Sequence, residues 1–238
     1  MHKICLLIAA IVTAMAVSAC TTTTGRQFSR PTSATLKIGE TTRAQAIGLY
    51  GESRSQSSFS LPIATSSPTA FDAAEETGIV SVASYSYIIS RAPILGDNPD
   101  TVDPKVTPAR TMTLFYWNDR VAGFRGSSTF REDKTEFDES KISLIEKGKT
   151  SVAQLTALIG KPSGQMAYPL VRNKGNEKLI YSYSSFKRDT RVFQMKTLEV
   201  LTNAQNVVVD YKFASNSEQL SMPASAPVSI PIFIPKGK

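Results

Sequence analysis

The stretch Ile145–Pro162, IEKGKTSVAQLTALIGKP, repeats without a gap an earlier one, Leu36–Ser53, LKIGETTRAQAIGLYGES. Gly39 aligns with Gly148, Thr41 with Thr150, Ala44-Gln45 with Ala153-Gln154, Leu49 with Leu158 and Gly51 with Gly160. Such self-similarity marks one structural unit used twice. The shared residues have a physical reading. Thr42-x-x-Gln45 and Ser151-x-x-Gln154 are capping boxes, in which side chains satisfy the orphan N–H groups of a starting helix. Ala46, Ile47, Leu49 and Tyr50 give one helix an apolar face, and Leu155, Leu158 and Ile159 give the other. Gly51 and Gly160 stand where a left-handed residue ends a helix, and Pro162 blocks continuation. Gly39 and Gly148 break the chain just ahead of each box, with Ile142, Leu144 and Ile145 supplying contacts for a short preceding helix. Each copy is therefore expected to open as a short helical hairpin.

Strands follow in both copies. Val80–Ile89 and Leu179–Ser184 are β-branched and aromatic and share Tyr-Ser-Tyr at 85–87 and 181–183. Thr111–Trp117 and Val121–Phe124 flank the turn Asn118-Asp119-Arg120; Lys196–Leu201 and Val207–Phe213 repeat that hairpin around Asn203–Asn206. The expected fold is α+β: two tandem units, residues 35–137 and 138–218, each a short helical hairpin packed on a three- or four-stranded antiparallel sheet. Ser53–Ala70 and Arg91–Ala109 read as loops, and Arg131–Lys141 as a charged, solvated joint between the copies. Residues 219–238 form a tail with proline at 223, 227, 231 and 235, a spacing that no helix or central strand tolerates.

The other end of the chain is an address. Met1-His2-Lys3 is basic, Ile4–Val17 is apolar but for Thr13, and Val17-Ser18-Ala19-Cys20 closes the segment. Fourteen residues are too few to cross a bilayer core of about 30 Å as a helix. The four-residue close resembles the lipobox of bacterial lipoproteins. That resemblance implies a signal peptide over 1–19, cleavage before Cys20, diacylglycerol on its sulfur and an acyl group on its amino terminus. Thr21 in place of Asp points, by analogy with enterobacterial lipoproteins, to the outer membrane. Residues 20–34, Thr-rich and polar, are expected to be a flexible tether.

Lipobox, tether and a glycine-framed helical hairpin leading into a strand meander resemble the SmpA/OmlA/BamE group of outer-membrane lipoproteins. Ile145, Gly148, Thr150, Gln154, Leu158, Gly160 and Pro162 carry the fuller signature; the first copy has Ser53 at the proline position and Gly48 inside its helix. Tandem copies are also similar in arrangement to β-lactamase-inhibitor proteins, whose two units present one concave sheet to an enzyme. These are structural motifs and support fold more than function.

Chemistry-bearing residues are scarce. The single histidine, His2, and one of two cysteines, Cys5, lie in the signal segment, so cleavage would leave no His triad, no His or paired-Cys zinc site and no disulfide. Ser184-x-x-Lys187 fits a penicillin-binding pattern but falls at a strand end without a K-T-G partner. Asp97, Asn98, Asp100 and Asp103 offer oxygen ligands on one loop, without the EF-hand's central Gly and terminal Glu, and the prolines explain the loop as well; no metal is expected. The net charge of +7 is scattered over arginines and lysines with no nucleic-acid motif. An anionic lipid, cell-wall or acidic protein surface suits that charge, and a solvated face is the bland alternative. Trp117 beside its hairpin turn and Ile232, Phe233 and Ile234 in the tail are the candidate partner contacts; the bland alternatives are a Trp packed on its own sheet and a tail folded back onto it.

The function expected is non-enzymatic, with no cofactor beyond the lipid on Cys20. The chain would be an outer-membrane lipoprotein facing the periplasm and serving as an interaction or assembly subunit for an envelope protein. The alternatives are a tethered inhibitor of a periplasmic or secreted hydrolase, and an accessory lipoprotein of an envelope-spanning secretion or pilus machine.

Overall fold

A computed structural model describes residues 21–32, 34–63, 76–91 and 97–220. Cys20 and the tail residues Ile232, Phe233 and Ile234 lie outside them. Among the described residues, nine strands form one antiparallel sheet: β1 (Thr21–Gly25), β2 (Ser55–Ile63), β3 (Glu76–Arg91), β4 (Ala109–Trp117), β5 (Arg120–Ser128), β6 (Gly164–Met166), β7 (Glu177–Lys187), β8 (Val192–Thr202) and β9 (Val208–Gln219). The order is β1-β3-β4-β5-β6-β7-β8-β9, with β2 also on β3, beside β1 along the same edge.

This corrects the expected α+β fold of two units built on helical hairpins. Among the described residues the helices are brief: α1 (Arg43–Tyr50), α2 (Val152–Ile159) and two 3-10 turns, Arg131–Asp133 and Glu139–Leu144. Neither expected first helix is an α-helix. Around Leu36–Thr41 the chain makes turns closed by Leu36 N–H to Thr32 O (2.9 Å) and Thr41 N–H to Lys37 O (2.9 Å). Ile142 and Ile145 do pack, but from the 3-10 turn and its end, with Leu144 left exposed. The six residues of the 3-10 turn Glu139–Leu144 are too few to offset the nucleation cost of an α-helix. Strand also replaces expected loop: Ser53–Ala70 contains β2, whose pairing runs from Ser55↔Ser84 to Ile63↔Glu76.

The duplicated stretch nonetheless builds the same local structure twice. Both capping boxes form: Thr42 and Ser151 accept from the N–H of Gln45 and Gln154 (3.2 Å each), whose side chains accept in return from Thr42 and Ser151 N–H (2.8 Å each). Each helix docks on the hairpin that follows it. Gly39 and Gly148 N–H reach Val121 and Val208 O, and Arg43 and Val152 N–H reach Asp119 and Asn206 O. Gly51 and Gly160 end the helices at φ +80° and +103°, conformations a side chain would strain; ψ near 180° makes them extended rather than αL caps.

Both helices lie on one face of the sheet. Phe124 pairs with Gln165 and Gln165 with Leu179, so the first core and the second point the same way. The first core gathers Ala46 and Tyr50 of α1 with Tyr85, Met112, Leu114, Tyr116 and Phe124. The second gathers Leu155 and Ile159 of α2 with Leu179, Tyr181, Leu198, Val200 and Val208.

Two segments thought to be solvated are packed. The expected flexible tether pairs as β1, from Thr21↔Arg91 to Gly25↔Tyr87, and buries Phe28 in the first core. The charged joint buries Asp133, Thr135 and Phe137. Asp133 Oδ2 accepts from Arg110 Nε and from Ser128 Oγ, both at 2.6 Å, and Arg110 also reaches Phe28 O. A buried cation met by carboxylates and a carbonyl is the form in which charge is tolerated inside a protein.

Candidate binding groove

With helices and joint on one face, the side chains that alternate to the other face line a concave hollow of about 460 Å³. Its floor is β3, β4, β5, β7, β8 and β9, so it spans both copies of the repeat. Hydroxyls from Ser84, Thr111, Thr113, Ser127, Ser182, Ser184 and Thr197 line it together with a larger apolar surface that includes Ile180, Phe193 and Met195. The size suits a small ligand or a few residues of a partner chain.

The halves meet under this hollow through serine. β6 spans only Gly164–Met166, and beyond it β5 and β7 are joined by side chains. Ser127 Oγ lies 3.0 Å from Ser184 Oγ and accepts from Ser184 N–H at 2.7 Å. Ser163 Oγ accepts from Ser182 N–H (2.7 Å) and donates to Ile180 O (3.2 Å). A Cβ at Gly164 would stand 2.5 Å from Phe124 O, so this close approach requires glycine.

The charge in the hollow is cationic. Arg125 and Lys212 line it with Glu199, two cations to one carboxylate, and Glu199 is paired outside the hollow with Lys178 at 3.0 Å. Burial lowers the Arg125 pKa, and the charge of Glu199 opposes that shift. A guanidinium in partly buried surroundings presents a planar fork suited to carboxylates and phosphates.

The sequence-derived chemistry candidates do not converge here. Ser184 belongs to the serine seam, and Lys187 turns to Asp103 at 3.0 Å. Residues three apart on a strand face opposite sides, so this S-x-x-K brings no base to its serine. On the 97–103 loop, Asn98 Oδ1 accepts from Asp100 N–H and Asp103 Oδ1 from Lys105 N–H, each at 3.0 Å. Among the described residues no group of three or more His, Cys, Asp or Glu stands together to hold a metal. Trp117 is partly buried at the end of β4, opposite Arg120. The glycines and boxes at 39, 42, 45, 51, 148, 151, 154 and 160 serve the helix docking described above, and the Pro162 carbonyl accepts from Arg30.

Sequence reading missed the groove itself. The signal was present as alternation: Thr111, Thr113, Ser182, Ser184 and Thr197 each sit one position from a core residue. Alternation shows that a strand has two faces, but not that polar faces from two copies join in one sheet. No family model matches this chain, and neither a curated protein nor a solved structure matches it.

Proposed function

We propose that this chain is a non-enzymatic lipoprotein, anchored to the outer membrane through Cys20 on the periplasmic side, that binds an envelope protein. The open groove would hold the contact. The observation that carries this reading is the asymmetry of the sheet. One face is closed by helices, joint and apolar core, whereas the other is a hollow lined by hydroxyls, apolar side chains and a cationic excess. The resemblance of the capped helices to the SmpA/OmlA/BamE group supports a partner in outer-membrane assembly. The sheet that runs unbroken across both copies favours a second reading, a tethered hydrolase inhibitor using the same face.

A photo-crosslinker at the exposed, groove-lining Lys212 tests the first reading, with one at Gln154 on the helix face as control. The expected outcome is trapping of an outer-membrane assembly protein from Lys212 alone, with the complex remade from purified components and weakened by Arg125→Glu. A soluble hydrolase trapped instead would establish the second reading, and secretion-ring subunits the machine-accessory role. Equal trapping from both positions defeats the groove assignment. Independently, Cys20→Ser should abolish palmitate labelling and release the protein from membranes.

A further inference from the structure

Cys20 is bonded directly to Thr21, and Thr21 is already the first residue of β1, paired with Arg91 at the end of β3. A lipid on Cys20 would therefore be joined to the folded sheet by a single peptide link, about 3.8 Å between Cα atoms. A lipoprotein on a leash this short cannot tumble freely above its membrane. We infer that one end of the sheet lies directly on the lipid headgroups, and this rests on the reading of Cys20 as the lipidated residue.

The end in question is continuous in hydrogen bonds. From β3, Ile89 N–H reaches Pro108 O (2.9 Å); Thr107 N–H then reaches Phe186 O (2.9 Å), and Arg188 N–H reaches Lys105 O (3.1 Å). The loop before β4 thus ties the anchored strand to the turn between β7 and β8. Around that turn, Lys105 pairs with Asp189 at 3.4 Å and Lys187 with Asp103 at 3.0 Å, and Arg188 donates to Pro104 O at 3.0 Å, so this rim is held together as one piece.

The opposite end carries the helix caps, the Asn118-Asp119 and 203–206 turns, and Trp117. A nine-residue strand such as β4 sets it about 30 Å from the rim. Partner contacts there would be made well away from the membrane, and the groove between the two ends would open sideways.

Cleavage of the signal segment leaves Cys20 as the only native cysteine, so a thiol introduced at Thr190 in the rim or at Gln205 in the far turn is the single free one. Each variant, purified with its lipid, is placed in phosphatidylethanolamine–phosphatidylglycerol vesicles. The thiol is labelled with a fluorophore and exposed to a quencher carried on lipid headgroups. The expected result is several-fold stronger quenching at Thr190 than at Gln205. Ten Gly-Ser residues inserted between Cys20 and Thr21 should abolish the difference. Gly25→Val should reduce it, because Gly25 has φ +82° and a Cβ there would lie 1.8 Å from Ser86 O, peeling β1 from β3. Equal quenching at both sites, in protein that incorporates palmitate, overturns the orientation while leaving the anchor intact. A difference that survives the insertion overturns the short leash as its cause. Absence of palmitate overturns the anchor reading and the orientation together.

Discussion

The two halves of the sheet share their caps, turns and hairpins, yet fill their cores differently. In the first, α1 buries only Ala46 and Tyr50, and Leu49 is half exposed. In the second, α2 buries Leu155 and Ile159, with Val152 and Leu158 packed partly against the same core. Each core is then completed by an aromatic from outside the repeat. Phe28 comes from the N-terminal segment and meets Tyr50 and Tyr85 edge-on at 6.4 and 6.2 Å. Phe137 comes from the joint and meets Tyr181 and Phe213 at 6.1 and 6.4 Å. The lesson is a division of labour: the repeated residues set the backbone, and unrepeated segments supply the volume that makes each core close.

That comparison is most directly broken at the two aromatics. Phe28→Ala and Phe137→Ala should each cost about 3–5 kcal/mol in urea unfolding, and the double variant about their sum. A Phe28→Ala cost below about 1 kcal/mol would show that the N-terminal segment is an accessory rather than a core element.

The joint comes next. Asp133→Ala leaves Arg110 buried with its inner carboxylate gone and should cost about 3–5 kcal/mol, whereas Glu132→Ala should cost under about 1 kcal/mol. The contrast follows from exposure, since the Glu132 side chain is 73% accessible and that of Asp133 8%. Equal costs would mean that the joint works through net charge rather than burial.

Between the helices, Leu155→Ala should cost about 2–5 kcal/mol, against about 1 kcal/mol for Ala46→Gly. Thermal unfolding of the pair would show whether α2 carries its half more than α1 does. The caps should not discriminate. Thr42→Ala and Ser151→Ala are each expected to cost about 1 kcal/mol, because both boxes have the same bonds and lengths.

The smallest effect is in alkali. Burial, with the charge of Glu136 adding to it, pushes the Tyr183 phenol in the second half up to about 12. The unfolded phenol ionises near pH 10, so the folded state favours the neutral form. This stabilisation is complete below about pH 10 and is lost as pH rises from there through about 12. Tyr183→Phe should flatten the fall of the urea midpoint across that window, while the raised phenols of Tyr50 and Tyr85 in the first half keep part of it. An unchanged slope would place the alkaline sensitivity in the other raised phenols, Tyr181 of the second half and Tyr50, Tyr85 and Tyr116 of the first.

Legibility followed the range of the interactions. The capping boxes and the turns at Asn118-Asp119 and Asn203–Asn206 depend on neighbours within a few residues and stand in the sequence as they stand in the fold; Gly51 and Gly160 end the helices as read, though not as αL caps. The extra helices were over-read, because Ile142 and Ile145 have helical spacing but too short a segment to hold it. β2 escaped because SQSSFS lacks the β-branched residues that mark a strand, and its pairing with β3 gives it the ladder anyway. Thr21–Gly25 and Arg131–Phe137 looked solvated because polar composition is silent about partners far along the chain: Arg91 for the first, Arg110 for the second.

By itself, then, the sequence determined the duplication, its capped helices, its hairpins and the placement of the only reactive thiols at the N-terminal end. The tertiary structure alone decided that two repeats make one sheet and that the N-terminal segment and joint belong to its cores. It also decided that the polar strand faces meet in a single groove. The physical reason lies in the open edges of each repeat. β5 and β7 carry unpaired N–H and C=O groups that three residues of β6 and the hydroxyls of Ser127 and Ser163 satisfy, and that demand appears only once both copies are folded.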